Sequence, residues 1–289
     1  MEKVKLYARA KINPVLDVVE RLDNGYHNLK MVMQTIDLID TIIIKKNLSN
    51  TITLKTNINW LPTDDKNLVY KVAHFLKQNY NIKHGIDITL NKSIPICAGL
   101  AGGSTDAAAT LIGVRNLFKL PISNDDLLKL GKDFGADVPF CLKRGTYLAQ
   151  GIGEKLTPLN PFPHCYILIA KPSVSISTAE IFNQLDLKKV NNKPDVEKFI
   201  YYLNKKDLNN MCNNLSNVLE EVSIKKYPII NDVKQNMLKN GALGSLMSGS
   251  GSAVFGIFED KRQALFAKKM LHKQLNLKDV FVTRPFNVV

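Results

Sequence analysis

Cysteine is scarce: Cys97, Cys141, Cys165 and Cys212 stand far apart among 289 residues, with no Cys-x-x-Cys pair. That spacing argues against a zinc knuckle and a disulfide framework, and the four are expected as buried thiols. Long apolar runs are missing as well. None approaches the ~18 residues needed to cross a bilayer, and Met1 to Ala10 enters a strand-like pattern with no signal or transit segment ahead of it. Membrane insertion and secretion are therefore disfavoured, and a cytoplasmic protein is expected. The five histidines, His27, His74, His84, His164 and His272, have no ligand-like spacing, and there is no His-Glu-x-x-His. Metal-dependent hydrolysis is disfavoured accordingly. No Gly-x-Ser-x-Gly elbow occurs, and the single Ser-x-x-Lys match, Ser223 to Lys226, lacks the partner motifs that would give it meaning.

Acidic residues are outnumbered, 26 against 39 basic ones, for a formal charge of +13. Such an excess favours contact with anions without saying which. The basic residues come as scattered pairs, Lys45-Lys46, Lys188-Lys189, Lys205-Lys206, Lys225-Lys226 and Lys268-Lys269, without the interleaved aromatics that stack bases. A solvated lysine-rich surface accounts for them, and no nucleic-acid partner is expected. The hydrophobic fraction of 45% and charged fraction of 22% are those of a folded globular chain. Its length fits about two domains.

Alternating or β-branched runs at 4–8, 12–19, 29–39, 41–44 and 51–56 predict consecutive strands, with Asp23-Asn24-Gly25 as a turn. Apolar residues from Leu68 to Tyr80 repeat at helical spacing, and another strand follows at 86–90. A loop over 93–103 leads to an alanine-rich helix from about Thr105 to Phe118. Ser123 with Asp126 three residues on resembles a capping box for a second helix. Three prolines, Pro158, Pro161 and Pro163, stiffen a connection and place a boundary there, giving domains at 1–158 and 159–289. Beyond it, a strand at 166–170, helices through Asn240 stopped by Gly241, and strands at 253–258 and 280–283 around a helix predict a second α+β domain. The polar stretch 186–195 is expected as an exposed loop.

Pro95 to Ala109 is the strongest local pattern: a strand gives way to Cys97-Ala98-Gly99-Leu100-Ala101-Gly102-Gly103 and then, through Ser104 and Thr105, to a helix. Glycines let backbone N–H groups approach an anion, and the free donors of a helix's first turn add partial positive charge. Phosphate suits such a cradle; a flexible connection capped by Ser104 or Thr105 is the plainer alternative. The loop is neither a Walker A sequence nor Gly-x-Gly-x-x-Gly. Met247-Ser248-Gly249-Ser250-Gly251-Ser252 reads by itself as a hairpin turn. Asp137, in Gly135-Ala136-Asp137-Val138-Pro139, is a loop carboxylate of the kind usually exposed. Lys11 interrupts an apolar strand and could send its head group to water from an edge.

Taken in order, Ala10-Lys11-Ile12-Asn13, Gly25-Tyr26-His27, the Pro95 to Ala109 loop, Gly135 to Pro139 and Ser248-Gly249-Ser250-Gly251 resemble the motifs of the GHMP small-molecule kinases over nearly the whole chain. The resemblance implies an α+β fold of two domains, an N-terminal one like a ribosomal-protein α/β fold and a C-terminal ferredoxin-like one, with the active site between them. It implies ATP and Mg2+ as cofactors and no membrane partner. The protein would be a monomer or homodimer. Pro95, Ile96, Cys97, Ala98, Gly99, Leu100, Ala101, Gly102, Gly103, Ser104 and Thr105 would form the ATP phosphate loop, with Asn67 near the adenine and Ser104 or Thr105 touching Mg2+.

Two departures from the commonest pattern, Ala101 for glycine and Thr105 for serine, bear on loop tightness. Asn24-Gly25-Tyr26-His27 and Gly-Ala-Asp-Val-Pro resemble the branch that phosphorylates the 2-hydroxyl of a cytidine diphosphate-linked methylerythritol for isoprenoid synthesis. Its substrate contacts would be Asn13, Tyr26, His27, Thr178 and Phe182, with Tyr26 and Phe182 sandwiching the cytosine. Asp137 would be the base and Lys11 would stabilise the oxyanion.

Overall fold

In a computed structural model, residues 2–23, 25–190 and 193–288 are described, and the chain forms two compact units. The first comprises Met1–Ala10, Ile39–Ile96 and Ala101–Lys143; the second, Lys11–Leu38, Cys97–Leu100 and Arg144–Val289.

The early alternation produces two long strands rather than four short ones: β1 (Lys3–Arg21) and β2 (His27–Asn47) run unbroken through the expected gaps. At the first gap every residue from Ala10 to Leu16 is buried, which erases the period-2 contrast; at the second, Asp40 is a charged residue in an otherwise apolar run, buried on the strand and bonded to Lys92. Between them, Asn24 of the expected turn lies outside the described residues. In the first unit, β3 (Ile52–Thr56) pairs in parallel with β4 (Gly85–Asn91), which pairs antiparallel with the second half of β2. A parallel pair needs a crossover, and α1 (Leu68–Asn79) supplies it, burying Val69, Val72, Ala73 and Leu76.

Helix α2 (Gly102–Phe118) is apolar nearly all round, the composition of a central helix. Gly113 lets it lie close to the sheet, because a Cβ there would stand 2.7 Å from Ile44 Cδ1 and 2.9 Å from Leu6 Cδ2. Two further helices, α3 (Asn124–Phe134) and α4 (Val138–Lys143), complete the unit. Ser123 caps α3 as expected: its Oγ accepts from the Asp126 N–H and donates to the Asp126 carboxylate.

The second unit continues β1 and β2 with a meander of β5 (Thr146–Gly151) and β6 (Lys155–Pro158). The proline-rich connection thus opens as an edge strand, a position proline tolerates. Strand β7 (Tyr166–Lys171) then leads into α5 (Thr178–Gln184), α6 (Val196–Lys205) and α7 (Leu208–Asn213). Of the stretch 186–195, Asn191 and Asn192 lie outside the described residues; the remainder carries neither helix nor strand. The short β8 (Ser216–Asn217) pairs in parallel with β1 at Val15 and Leu16.

After α8 (Glu220–Lys226) and α9 (Ile229–Lys239), Gly241 turns the chain at φ +95° into β9 (Gly244–Met247). The chain ends through β10 (Val254–Phe258), α10 (Lys261–Leu275) and β11 (Asp279–Thr283). The second sheet is antiparallel in the order β11-β7-β10-β9. With β7, β9, β10 and β11 as first to fourth, that is the order 4-1-3-2 of a ferredoxin-like sheet, the arrangement that the family resemblance implies for this part of the chain.

Candidate active site

The glycine loop approaches α2 through three left-handed residues, Cys97 (φ +53°), Gly99 (φ +72°) and Ala101 (φ +57°). Helix α2 starts at Gly102, earlier than the Thr105 expected from its alanine run; the glycines of its first turn have little helix propensity and give no sign of a helix in the sequence. Ala101 is the N-cap and gives no side-chain hydrogen bond. Neither Ser104 nor Thr105 caps the helix; both sit inside it. The first-turn N–H groups at Gly102, Gly103 and Ser104 therefore have no side-chain cap, and they carry the positive end of a 17-residue helix. An anion is the natural complement of such an end. Cys97 is exposed, not buried as expected, whereas Cys141, Cys165 and Cys212 are buried; burial pushes the Cys212 thiol up to about 12.

Within the second unit, Cys97–Leu100 rests on the turn between β9 and β10. Ser248 Oγ donates to the Gly99 carbonyl at 2.9 Å, and the Ala253 N–H donates to the Ala98 carbonyl at 3.2 Å. A Cβ on Gly99 would stand 2.0 Å from the Ser248 carbonyl oxygen, so a larger residue does not fit. The serine-glycine cluster, which reads by itself as a plain hairpin turn, is thus the bed of the loop. Its sequence offers one clue in hindsight: five consecutive small residues exceed what a hairpin turn requires. Asn217 reinforces the bed by donating to the Met247 and Gly249 carbonyls at 2.9 and 2.8 Å.

Lys11 does not reach water, as a strand-edge lysine would: it is 5% exposed. Its N–H donates to the Leu100 carbonyl at 3.1 Å, and its Nζ donates to Asn13 Oδ1 at 2.5 Å. Two residues apart on one strand, Lys11 and Asn13 share a face. A Cβ on Gly249 would lie 3.3 Å from Lys11 Nζ, so the glycine leaves room for the ammonium. Asn13 is buried and donates onward to Met31 Sδ at 3.3 Å.

Further along the same unit, the rings of His27 and Phe182 lie 5.0 Å apart at 36°. Burial, then the charge of Arg21, holds the imidazole below its usual range, so it is neutral at physiological pH. Tyr26 is 59% exposed. Thr178, the first residue of α5, shares a 2.8 Å hydrogen bond with Ser250 Oγ, linking α5 to the serine-glycine turn.

Asp137 lies in the first unit, between α3 and α4; its carbonyl accepts from the Cys141 N–H at 3.0 Å and so opens α4. Gly135 brings this segment near α2, with its Cβ position 3.8 Å from Ser104 Oγ. Asn67 caps α1: Oδ1 accepts from the Val69 N–H at 2.9 Å and Nδ2 donates to the Pro62 carbonyl at 2.8 Å.

The GHMP kinases N terminal domain matches residues 67–145, and the GHMP kinases C terminal domain matches 199–277. A 4-diphosphocytidyl-2-C-methyl-D-erythritol kinase of Lachnospira eligens is 46% identical over 99% of both chains. One from Lachnoclostridium phytofermentans is 48% identical over 91% of both. Among solved structures, a 4-(cytidine 5'-diphospho)-2C-methyl-D-erythritol kinase superposes with a TM-score of 0.84 at 28% identity, covering 99% of this chain and all of that one. Homoserine kinase from Cytophaga hutchinsonii, at 23% identity and a TM-score of 0.74, covers 98% of this chain and 95% of its own and shares the fold.

Proposed function

This chain belongs to the GHMP kinases, and within them to the 4-diphosphocytidyl-2-C-methyl-D-erythritol kinase family, and from that membership we propose how its residues divide the work. The protein transfers the γ-phosphoryl group of ATP to the 2-hydroxyl of 4-diphosphocytidyl-2-C-methyl-D-erythritol, giving the 2-phosphate and ADP, in the non-mevalonate route to isoprenoid precursors. The observation that carries the assignment of parts is the uncapped, glycine-lined start of α2. Pro95 to Thr105 hold the nucleotide phosphates. Asn67 sits beside the adenine, where its capping role fixes the start of α1. We take the two functional domains as 1–158 and 159–289, and the enzyme as a cytoplasmic monomer or homodimer.

Asn13, Tyr26, His27, Thr178 and Phe182 contact the cytidine-linked substrate. The exposed Tyr26 ring and Phe182 offer faces for stacking, which accepts any base; the neutral His27 supplies the hydrogen bonds that select cytosine. Burial makes Asn13 and Lys11 rigid partners for the sugar-alcohol end.

In the transfer, the bond from the γ-phosphorus to the bridging oxygen breaks and a bond to the 2-hydroxyl oxygen forms. The hydroxyl proton passes to the Asp137 carboxylate. Lys11, drawn into a low-dielectric setting, stabilises the negative charge on the attacking oxygen. The transition state is loose, so the alcohol keeps its proton until late and Asp137 contributes largely by orienting it.

When bound with the nucleotide, Mg2+ would supply charge neutralisation on its phosphates. Among the described residues no cluster of three or more His, Cys, Asp or Glu forms a metal cage. A cation that keeps its waters and binds chiefly through phosphates needs little more than a hydroxyl. Ser104, half-buried in the first turn of α2, suits that part better than the buried Thr105.

The test is to incubate the protein with ATP, Mg2+ and a panel of acceptor alcohols and to locate the new phosphate by phosphorus NMR. Phosphorylation of the cytidine-linked substrate at its 2-hydroxyl is expected, with Asp137→Ala and Lys11→Ala losing about 10²-fold or more in kcat while ADP still binds. Turnover of homoserine or mevalonate in preference, or an Asp137→Ala variant of undiminished kcat, would refute the assignment.

A further inference from the structure

Three charged side chains in the first unit belong to none of the roles above. Lys92, at the end of β4, donates from Nζ to the carboxylates of Asp40 on β2 and Asp106 on α2, the latter at 2.7 Å. All three are buried, and Asp106 is 2% exposed. Asp40 Oδ1 also accepts the N–H groups of Ser93 and Ile94, at 2.5 and 2.8 Å. Asn57 clasps the backbone of Lys92 from both sides: Oδ1 accepts its N–H at 2.8 Å and Nδ2 donates to its carbonyl at 3.0 Å. The segment leading into the glycine loop is therefore fixed to β2 and to the residues after β3 before it reaches Pro95.

Asp106 carries that fixation to α2, one residue after the glycines and hydroxyls of the first turn. A Cβ on Gly102 would lie 3.2 Å from Lys92 Nζ, so the ammonium packs directly beneath the turn. The remaining oxygen of Asp106, Oδ1, is buried without a hydrogen-bond partner. Two carboxylates around one ammonium, with an oxygen unsatisfied, is a poor solution for stability; an apolar side chain would fill the place at less cost. The arrangement sacrifices comfort for a fixed direction.

We propose that the Asp40–Lys92–Asp106 cluster is a positioning device for the nucleotide site, with Asp106 the tie that sets the first turn of α2 against the strand ends so that its N–H groups converge on phosphate. The inference rests on the ATP role given to that turn. Two variants of Asp106 separate positioning from packing. Asp106→Asn keeps an oxygen for Lys92 and preserves the tie. Asp106→Leu severs the tie but leaves Lys92 paired with Asp40 and fills the volume with an apolar group, so the fold is retained.

Calorimetric titration with ADP, thermal melting and steady-state kinetics of the full chain decide the matter. Asp106→Leu is expected to melt near or above the parent temperature yet bind ADP about 10-fold more weakly, within the ~10²-fold that a 1 Å misplacement costs. Its KM for ATP should rise, while KM for the cytidine-linked acceptor stays within about twofold of the parent value. Asp106→Asn should restore ADP affinity. A folded Asp106→Leu that binds ADP as the parent does would overturn the proposal, as would an equal loss in Asp106→Asn. A parent protein that binds no ADP at all would refute the ATP role itself and this inference with it.

Discussion

Gly99 and Ala101, two residues apart in one loop, show how backbone geometry constrains composition. Both adopt positive φ, but only Gly99 has a carbonyl 2.0 Å from where a Cβ would go. Gly99→Ala should therefore cost about 2 kcal/mol or more in urea unfolding, since the left-handed penalty of ~1–2 kcal/mol is joined by a clash with backbone that cannot swing away. Ala101→Gly should instead stabilise by about 0.5 kcal/mol, the left-handed relief less the added freedom of the unfolded chain. A loss on Ala101→Gly, or an innocuous Gly99→Ala, would show that the loop holds another conformation in solution. Lys11 teaches a related lesson. From sequence alone its head group could as well have reached water; instead it is buried beside Asn13 and close against Gly249, more than 200 residues away, a neighbour that no local pattern announces.

At the level of elements, caps, helical periodicity and the limits of β3, β4, β7, β10 and β11 were legible, whereas the continuity of β1 and β2 was not. Ser123 with Asp126 located the start of α3 because the capping bonds are local, and the spacing from Leu68 onward located α1. The start of α2 was hidden because propensity argues against Gly102 and Gly103 as helical residues. Strands β5 and β6 escaped notice because their half-exposed residues alternate weakly, and the two-residue β8 is too short to carry a pattern at all.

Asn67 gives this scale its prediction. Asn67→Ala removes both the cap of α1 and the bond to the Pro62 carbonyl, and should cost about 1–2 kcal/mol of stability. Asn67→Asp, which keeps the capping oxygen, should recover most of the loss in thermal unfolding. Equal losses in the two would mean that the amide donor matters more than the cap.

For the molecule as a whole, the excess of 39 basic over 26 acidic residues acquires a use, because ATP and a diphosphate-linked cytidine are both strongly anionic. Steering by the summed field acts on encounter and is screened over about 8 Å at 0.15 M salt. Raising salt from 0.05 to 0.5 M should therefore lower kcat/KM several-fold with little change in kcat. A flat kcat/KM would return the lysines to an ordinary solvated surface.

The order of segments has a consequence of another kind. The chain passes between its two compact units five times, at 10/11, 38/39, 96/97, 100/101 and 143/144. No single scission releases either unit whole, because a fragment ending at Lys143 takes with it the strands that the remainder needs for its β1–β2–β5 meander. Freeing one unit from the other therefore takes more than one cut in the chain, and an exchange of modules would have to carry several separate segments together.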